Sequence, residues 1–271
     1  MSKTLRLKIV ALACGLAGVL TVTANAITFG EPDGTRHPNV GALVADWNSD
    51  SPGPDAFCTG TLVSPTLFLT AAHCMYGWDE GTQFWVTFSP TYDEDAAVPA
   101  GLVFVSDFTF HEGFAQVGDG ADAHDIAIVT LASAQSATPA LLPTLGLLNT
   151  FSQQQLRQLG FTTVGYGIAR NSKEGGPHSL IDQTTRLVAQ QTLLSLRPTW
   201  LLLSMNASTN NGGTCYGDSG GPHFLGGMTS NLVVSLTVTG DRWCRATDTT
   251  YRLDTPSAQE FLSRFGLVPA R

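Results

Sequence analysis

Three segments of this sequence hold residue types that together can do acyl-transfer chemistry. Ser219 lies in Gly217-Asp218-Ser219-Gly220-Gly221-Pro222, His73 in Leu69-Thr70-Ala71-Ala72-His73-Cys74, and Asp125 in His124-Asp125-Ile126-Ala127-Ile128. A serine hydroxyl is a weak nucleophile near neutral pH. It needs a base within hydrogen-bond reach, and the base needs a carboxylate to orient it. In that scheme Ser219 attacks, His73 takes the proton, and Asp125 holds the other ring nitrogen and stabilises the imidazolium. Gly217 lets the backbone turn so that its own N–H and that of Ser219 converge, which makes an oxyanion hole for a tetrahedral intermediate. Gly220 and Gly221 keep the approach to the hydroxyl uncrowded. Two other histidines compete with His73: His111 reads as a surface residue at a strand end, and His124 as a flank of the aspartate.

Positioning three such groups takes a rigid frame, and the rest of the chain reads as strands. Short apolar runs at 40–44, 60–63, 67–70, 84–88, 102–105, 126–131, 162–164 and 232–238 are separated by Gly, Pro, Asp and Ser. Many short strands with turn signals between them predict an all-β sandwich or closed barrel. Two helices are expected. One spans 152–160, with Ser152 and Gln155 as a capping box and Gly160 as its stop. The other lies at the C-terminal end, with Ser257 and Glu260 as the box, Phe261, Leu262 and Phe265 on one face, and Gly266 as the stop. With 43% hydrophobic and 13% charged residues in 271, the chain is neither disordered nor a coiled coil.

The first 26 residues read as an export signal. Lys3, Arg6 and Lys8 precede an apolar run from Ile9 to Val22, too short to span a bilayer, and Ala24-Asn25-Ala26 supplies a signal-peptidase site. Cleavage after Ala26 leaves 11 basic against 22 acidic residues, a formal charge of −11. That balance disfavours nucleic acid and anionic membrane as partners and suits a soluble, secreted, extracellular monomer. Four cysteines then remain: Cys58, Cys74, Cys215 and Cys244. In an exported chain they imply two disulfides with three possible connectivities, of which neighbour pairing is the simplest. Zinc is disfavoured, because there is no paired CxxC and His73 beside Cys74 is not a usual ligand spacing.

The histidine, aspartate and serine segments, in that chain order and 52 and 94 residues apart, resemble the chymotrypsin-like (trypsin-fold) serine endopeptidases. The resemblance implies two antiparallel six-stranded β-barrels with a C-terminal α-helix and the triad between them. It implies disulfides Cys58–Cys74 and Cys215–Cys244. It also implies protein or peptide substrates and an acyl-enzyme mechanism, the alternative being a catalytically silent or esterase-like member of the same fold. In the family the new amino terminus folds inward and pairs with the aspartate before the nucleophile, which makes Ile27 and Asp218 the expected activation ion pair. Ile27-Thr28-Phe29-Gly30 departs from the family's usual second and third residues. The primary pocket is expected to draw on Gly213, Thr214, Ser235, Thr237 and Thr249. Gly213 stands where trypsin-like members carry an aspartate, and Thr237 where many carry glycine, so small or medium apolar side chains are expected there. Asp248 is the one residue that would restore acidity. No cofactor or metal is expected. Calcium at Asp93-Glu94-Asp95 is the alternative, as that loop falls where some relatives bind it, though three consecutive acids cannot all face one ion. Asn206-Ala207-Ser208 is a glycosylation sequon.

Overall fold

The structure, a computed structural model, describes residues 27–46, 53–93, 101–114, 122–170, 180–181, 185–267 and 269. The export segment, Glu94 and Asp95 lie outside these residues. The first barrel is closed by strands in the order β2 (Val40–Ala45), β3 (Asp55–Leu62), β4 (Leu67–Thr70), β7 (Ala127–Leu131), β6 (Leu102–Phe110) and β5 (Phe84–Thr87). The second contains β8 (Phe161–Gly165), β11 (Leu187–Leu196), β12 (Trp200–Ser204), β15 (Thr247–Arg252), β14 (Val233–Gly240) and β13 (Pro222–Leu225). It closes where β8 pairs with β11, Val164 opposite Val188. Every pairing in both barrels is antiparallel. A short β1 (Glu31–Pro32) adds to β11, and β9 (Ala169–Arg170) pairs with β10 (Leu180–Ile181). The helices are α1 (Ala72–Met75), α2 (Gln153–Leu159) and α3 (Pro256–Ser263).

Each barrel has its own apolar filling. Leu43, Leu62, Phe68, Val86 and Val129 fill the first, and Phe161, Leu201, Leu203 and Val234 the second, with Leu148 and Leu156 packed against them. A third layer, with Val40, Ile128, Val164, Phe224, Tyr251 and Phe261, draws on both barrels and α3 and glues them together. Polar bonds cross the same seam. The buried Arg186 donates to Val40 O at 3.0 Å, Phe88 O at 3.1 Å, Gly34 O at 2.8 Å and Asp33 Oδ2 at 2.9 Å. Burial alone would raise the Asp33 carboxyl, but His37 and Arg186 outweigh it and hold it below the usual carboxylate range.

The capping box at Ser152 and Gln155 is present, and Gly160 ends α2 with φ at 70°. α3 begins differently. Its N-cap is Thr255, whose hydroxyl accepts from Ala258 N, and Pro256 occupies the first turn. Ser257 is thereby freed for another contact, described below. Four barrel strands that the apolar runs did not predict are β11, β12, β13 and β15. β15 is the instructive case: Asp248, Thr250 and Arg252 are all buried, so its inward face is polar and carries no hydrophobic signal.

Candidate active site

His73 sits on α1, the single turn that follows β4. Asp125 is the centre of a three-residue turn closed by Ile126 N–H to His124 O at 2.9 Å. His124, which opens the turn, holds a left-handed φ of 50°. Asp125 is only 2% exposed. One of its oxygens accepts the His73 backbone N–H at 2.9 Å and the other faces His73 Nδ1 at 2.7 Å. This two-point grip fixes both the position and the ring plane of the imidazole. It makes Nδ1 the protonated nitrogen of the neutral ring and leaves Nε2 as the basic one.

Ser219 lies in the second barrel, on the loop between β12 and β13, with its backbone against the histidine turn. The loop is docked on the first barrel by Thr59, whose N–H donates to Ser219 O at 2.9 Å and whose hydroxyl donates to Gly217 O at 3.0 Å. Cys74 Sγ, next to His73, lies 3.6 Å from the same Ser219 oxygen. Gly220 shows why the loop must be glycine-rich. At φ 76° a Cβ there would lie 2.0 Å from Thr70 Oγ1 and 2.6 Å from Ala71 N, the segment that leads into His73. Any side chain would push the serine loop away from the histidine turn. The Cys58–Cys74 disulfide braces that turn, and Cys215–Cys244 ties the serine loop to the turn after β14.

Of the five backbone donors in 217–221, three are bonded within the protein. Asp218 N–H goes to Cys215 O, Gly220 N–H to Thr237 O and Gly221 N–H to Asp218 O. Among the described residues the N–H groups of Gly217 and Ser219 have no protein acceptor. These are the two donors that sequence reasoning assigned to an oxyanion hole. Gly217 holds φ at 94°, a conformation natural only to glycine.

Asp218 is fully buried, and its two oxygens accept from Gly167 N and Cys215 N, both at 2.8 Å. Burial pushes its carboxyl up to about 7 in spite of those donors, and Asp248 adds to the rise. Ile27 is also fully buried, packed with Ala169, Leu187 and Ala189. The next residue, Thr28, exchanges two backbone hydrogen bonds with Gly213, at 2.7 and 2.9 Å. In the 271-residue chain Ile27 N is a peptide nitrogen, so no ammonium at this residue faces Asp218.

A pocket of about 160 Å³ opens beside Ser219, between the arm 214–216 and the arm 237–241, with Cys244 at its side. Thr214 and Thr237 line it; Gly213, Ser235 and Thr249 do not. Gly213 is buried behind the wall. Ser235 is buried in the barrel, accepting from Thr250 Oγ1 at 2.8 Å. The reason is register. Thr237 exchanges backbone bonds with Gly220 and Gly221, so it stands level with the nucleophile rather than beyond it, and β14 bulges between Thr237 and Thr239. The wall is therefore Val238-Thr239-Gly240, and the glycine of that wall is Gly240. Asp248 does not line the pocket. It is fully buried, with Oδ2 accepting from Gln191 Nε2 at 2.9 Å. Asp241 does line it, but its carboxylate accepts N–H groups from Trp243, Arg245, Ala246 and Thr247. Burial acts to raise that carboxyl, and the four donors overcome it and hold it low.

His111 and His124 are not independent surface residues. Their rings stack at 4.4 Å, and Ser257 Oγ bridges His124 Nδ1 at 2.8 Å and His111 Nε2 at 3.1 Å. Gly113 N–H donates to His111 Nδ1 at 3.0 Å, so Nε2 carries the proton and the bridge runs from His111 through Ser257 to His124. Burial, and then His124, lower the His111 pKa. This bridge holds the strained residue that precedes Asp125. One group of metal-ligand types occurs among the described residues, Cys58, His73 and Cys74, but its sulfurs are bonded to each other.

Comparison with known proteins agrees with this geometry. A family model described as trypsin matches residues 35–259. Brachyurin from Leptuca pugilator is 31% identical over 183 residues, 65% of this chain and 74% of that protein. Coagulation factor XII from Bos taurus is 25% identical over 202 residues, 69% of this chain and 30% of that protein. A solved structure of HL collagenase superposes with a TM-score of 0.65 at 17% identity, covering 90% of this chain and all of the other. The two six-stranded barrels and the family match over most of the length place the chain in the trypsin-like serine protease family.

Proposed function

We propose that the chain is a secreted serine endopeptidase in which Ser219 is the nucleophile, His73 the general base and acid, and Asp125 the orienting carboxylate. The observation that carries the reading is the two-point hold of Asp125 on His73, with the serine loop docked on the same barrel through Thr59. Ser219 Oγ attacks the peptide carbonyl carbon while its proton passes to His73 Nε2. The carbonyl oxygen becomes an oxyanion, and the free N–H groups of Gly217 and Ser219 stabilise it. His73 then protonates the departing amine, leaving an acyl-Ser219. Water, deprotonated by His73, attacks that ester and releases the acid.

Activation in this reading is removal of residues 1–26. The freed Ile27 ammonium becomes the counter-charge of the buried Asp218, whose raised carboxyl marks the lack of one in the longer chain. The two disulfides suit the oxidising exterior that this route implies. No helix among the described residues is long and apolar enough to cross a membrane. The chain acts as a monomer on protein substrates and needs no cofactor.

The experiment is fluorophosphonate labelling of the protein beginning at Ile27, with Ser219→Ala as control, and casein digestion in parallel. Labelling and digestion that both vanish in the control are expected. Labelling without digestion of casein or any peptide would point to an esterase, and a folded protein that does not label would refute the reading.

A further inference from the structure

Resting on the peptidase reading, we infer that Met205 fills the space beneath the lining of the pocket beside Ser219, and that this packing makes the pocket read leucine- or methionine-sized apolar side chains in place of lysine or arginine. Met205 follows β12 and is fully buried, packed against Cys215 and Cys244. Two glycines trace its side chain. A Cβ on Gly213 would lie 2.2 Å from Met205 Cγ and 2.5 Å from Sδ, and a Cβ on Gly240 would lie 3.6 Å from Met205 Cε. Gly240 belongs to one arm of the pocket, and Gly213 stands one residue before the other. The thioether thus stretches from arm to arm. The volume that a side chain at 213 would occupy is filled by Met205 from below, which is the packing reason for a glycine there.

The charge that could read a basic side chain is present, but it is buried and outside the lining of the pocket. Gln191 Nε2 lies 2.6 Å from the same Gly213 Cβ position and donates to Asp248 Oδ2 at 2.9 Å. Asp248 Oδ1 and Gln191 Oε1 are buried without a partner. The imidazole at hand, that of His223, has its Nε2 3.6 Å from Asp248. A lysine entering the pocket gives up its water and finds no free carboxylate in the lining, with Asp248 buried and Met205 packed beneath the wall. The other acid of the wall, Asp241, has its carboxylate taken by four backbone N–H groups. An aliphatic side chain meets the same lining with no such loss and gains dispersion contact.

The test uses peptides that differ only in leucine or lysine before the cleaved bond, with fluorophosphonate labelling to count assembled sites. The unmodified protein should cleave the leucine peptide and discriminate against lysine by about a hundredfold or more in kcat/KM, as expected where a pocket leaves a charge unpaired. Met205→Ala opens the space beneath the wall toward Gln191 and Asp248, and should move the lysine-to-leucine ratio upward by about tenfold or more. Met205→Leu, which loses only the terminal reach toward Gly240, should move it the same way by less. Asp248→Asn added to Met205→Ala should cancel the lysine gain. An unmodified protein that labels and cleaves after lysine or arginine overturns the inference alone, as does an unchanged ratio in both Met205 variants. An unmodified protein that is folded yet neither labels nor cleaves overturns the peptidase reading, and this inference with it.

Discussion

Replacing Asp218 by asparagine in the 271-residue chain removes a carboxyl group whose ionisation the fold opposes. The group is fully buried, and its ordinary value of 3.8 rises to about 7, burial being the main cause. Because the folded value lies above the unfolded one, the native state binds the extra proton between these limits. The protonated group therefore favours folding below about pH 4, and that contribution is lost as pH rises through about 7. A rise of about three pK units corresponds to about 4 kcal/mol across this window, or about 1.4 kcal/mol per pH unit. The measurement is urea unfolding, followed by tryptophan fluorescence, at several values between about pH 4 and about pH 7, on Ser219→Ala protein to prevent self-digestion. Asp218→Asn should show a flatter profile, and the difference between the two profiles should approach about 4 kcal/mol, other titrating groups cancelling in the subtraction. The asparagine forfeits one acceptor for the Gly167 and Cys215 N–H groups, a cost that does not vary with pH. Starting the chain at Ile27 supplies an ammonium, and the profile of the protein that keeps Asp218 should then flatten as well. Parallel profiles with and without the Asp218→Asn substitution would refute the buried-carboxyl argument. A profile indifferent to the starting residue would refute the ion pair.

Two further perturbations test the parts that hold the site. Ser257→Ala removes the bridge between His111 and His124, leaving ring nitrogens unpartnered under a strained residue. It should cost about 1–3 kcal/mol in thermal unfolding, while Thr255→Ala, the actual cap of α3, should cost about 1 kcal/mol; a silent Ser257→Ala would show that the bridge holds nothing. Arg186→Ala removes the guanidinium partner of the buried Asp33, leaving its His37 hydrogen bonds, and the donor to the carbonyls of Gly34, Val40 and Phe88. A loss of about 3–5 kcal/mol is expected in urea unfolding, and a change under about 1 kcal/mol would mean that the barrel seam is held by apolar contact alone.

The candidate triad was legible because the chemistry it would perform imposes local composition. Gly217 must take a positive φ, Gly220 must pass within touching distance of Thr70, and each demand writes a glycine beside Ser219. The same holds for α2, whose capping box is a contact between residues three apart. Legibility fails where the deciding contact is distant. The pocket wall depends on Thr237 pairing with Gly220 and Gly221 and on a bulge in β14, and neither leaves a mark in residues 235–240 themselves. A shift by an odd number of residues along a strand turns a wall residue into a buried one, and three residues separate the buried Ser235 from Val238 of the wall. β15 escapes the hydrophobic pattern for a related reason: its buried Asp248 is partnered by Gln191 from a separate segment, and its buried Arg252 by Asp254 two residues on and by Asn149 and the Arg197 carbonyl from elsewhere in the chain.

Asp248 and Met205 carry that argument into function. A carboxylate near the base of a pocket suggests a basic substrate when read from the sequence alone, because distance to the pocket is the only variable the sequence offers. The fold adds a second variable, what stands between. Gly213 admits Met205 into the space below the wall, and a methionine, unbranched and adaptable, can fill an irregular gap between two arms of backbone. Burying Asp248 behind it is tolerated because Gln191 satisfies one oxygen. The same acid would be a determinant of specificity with an alanine at 205 and is a hidden charge with methionine there, so the preference of this pocket is set by a residue that no catalytic motif contains.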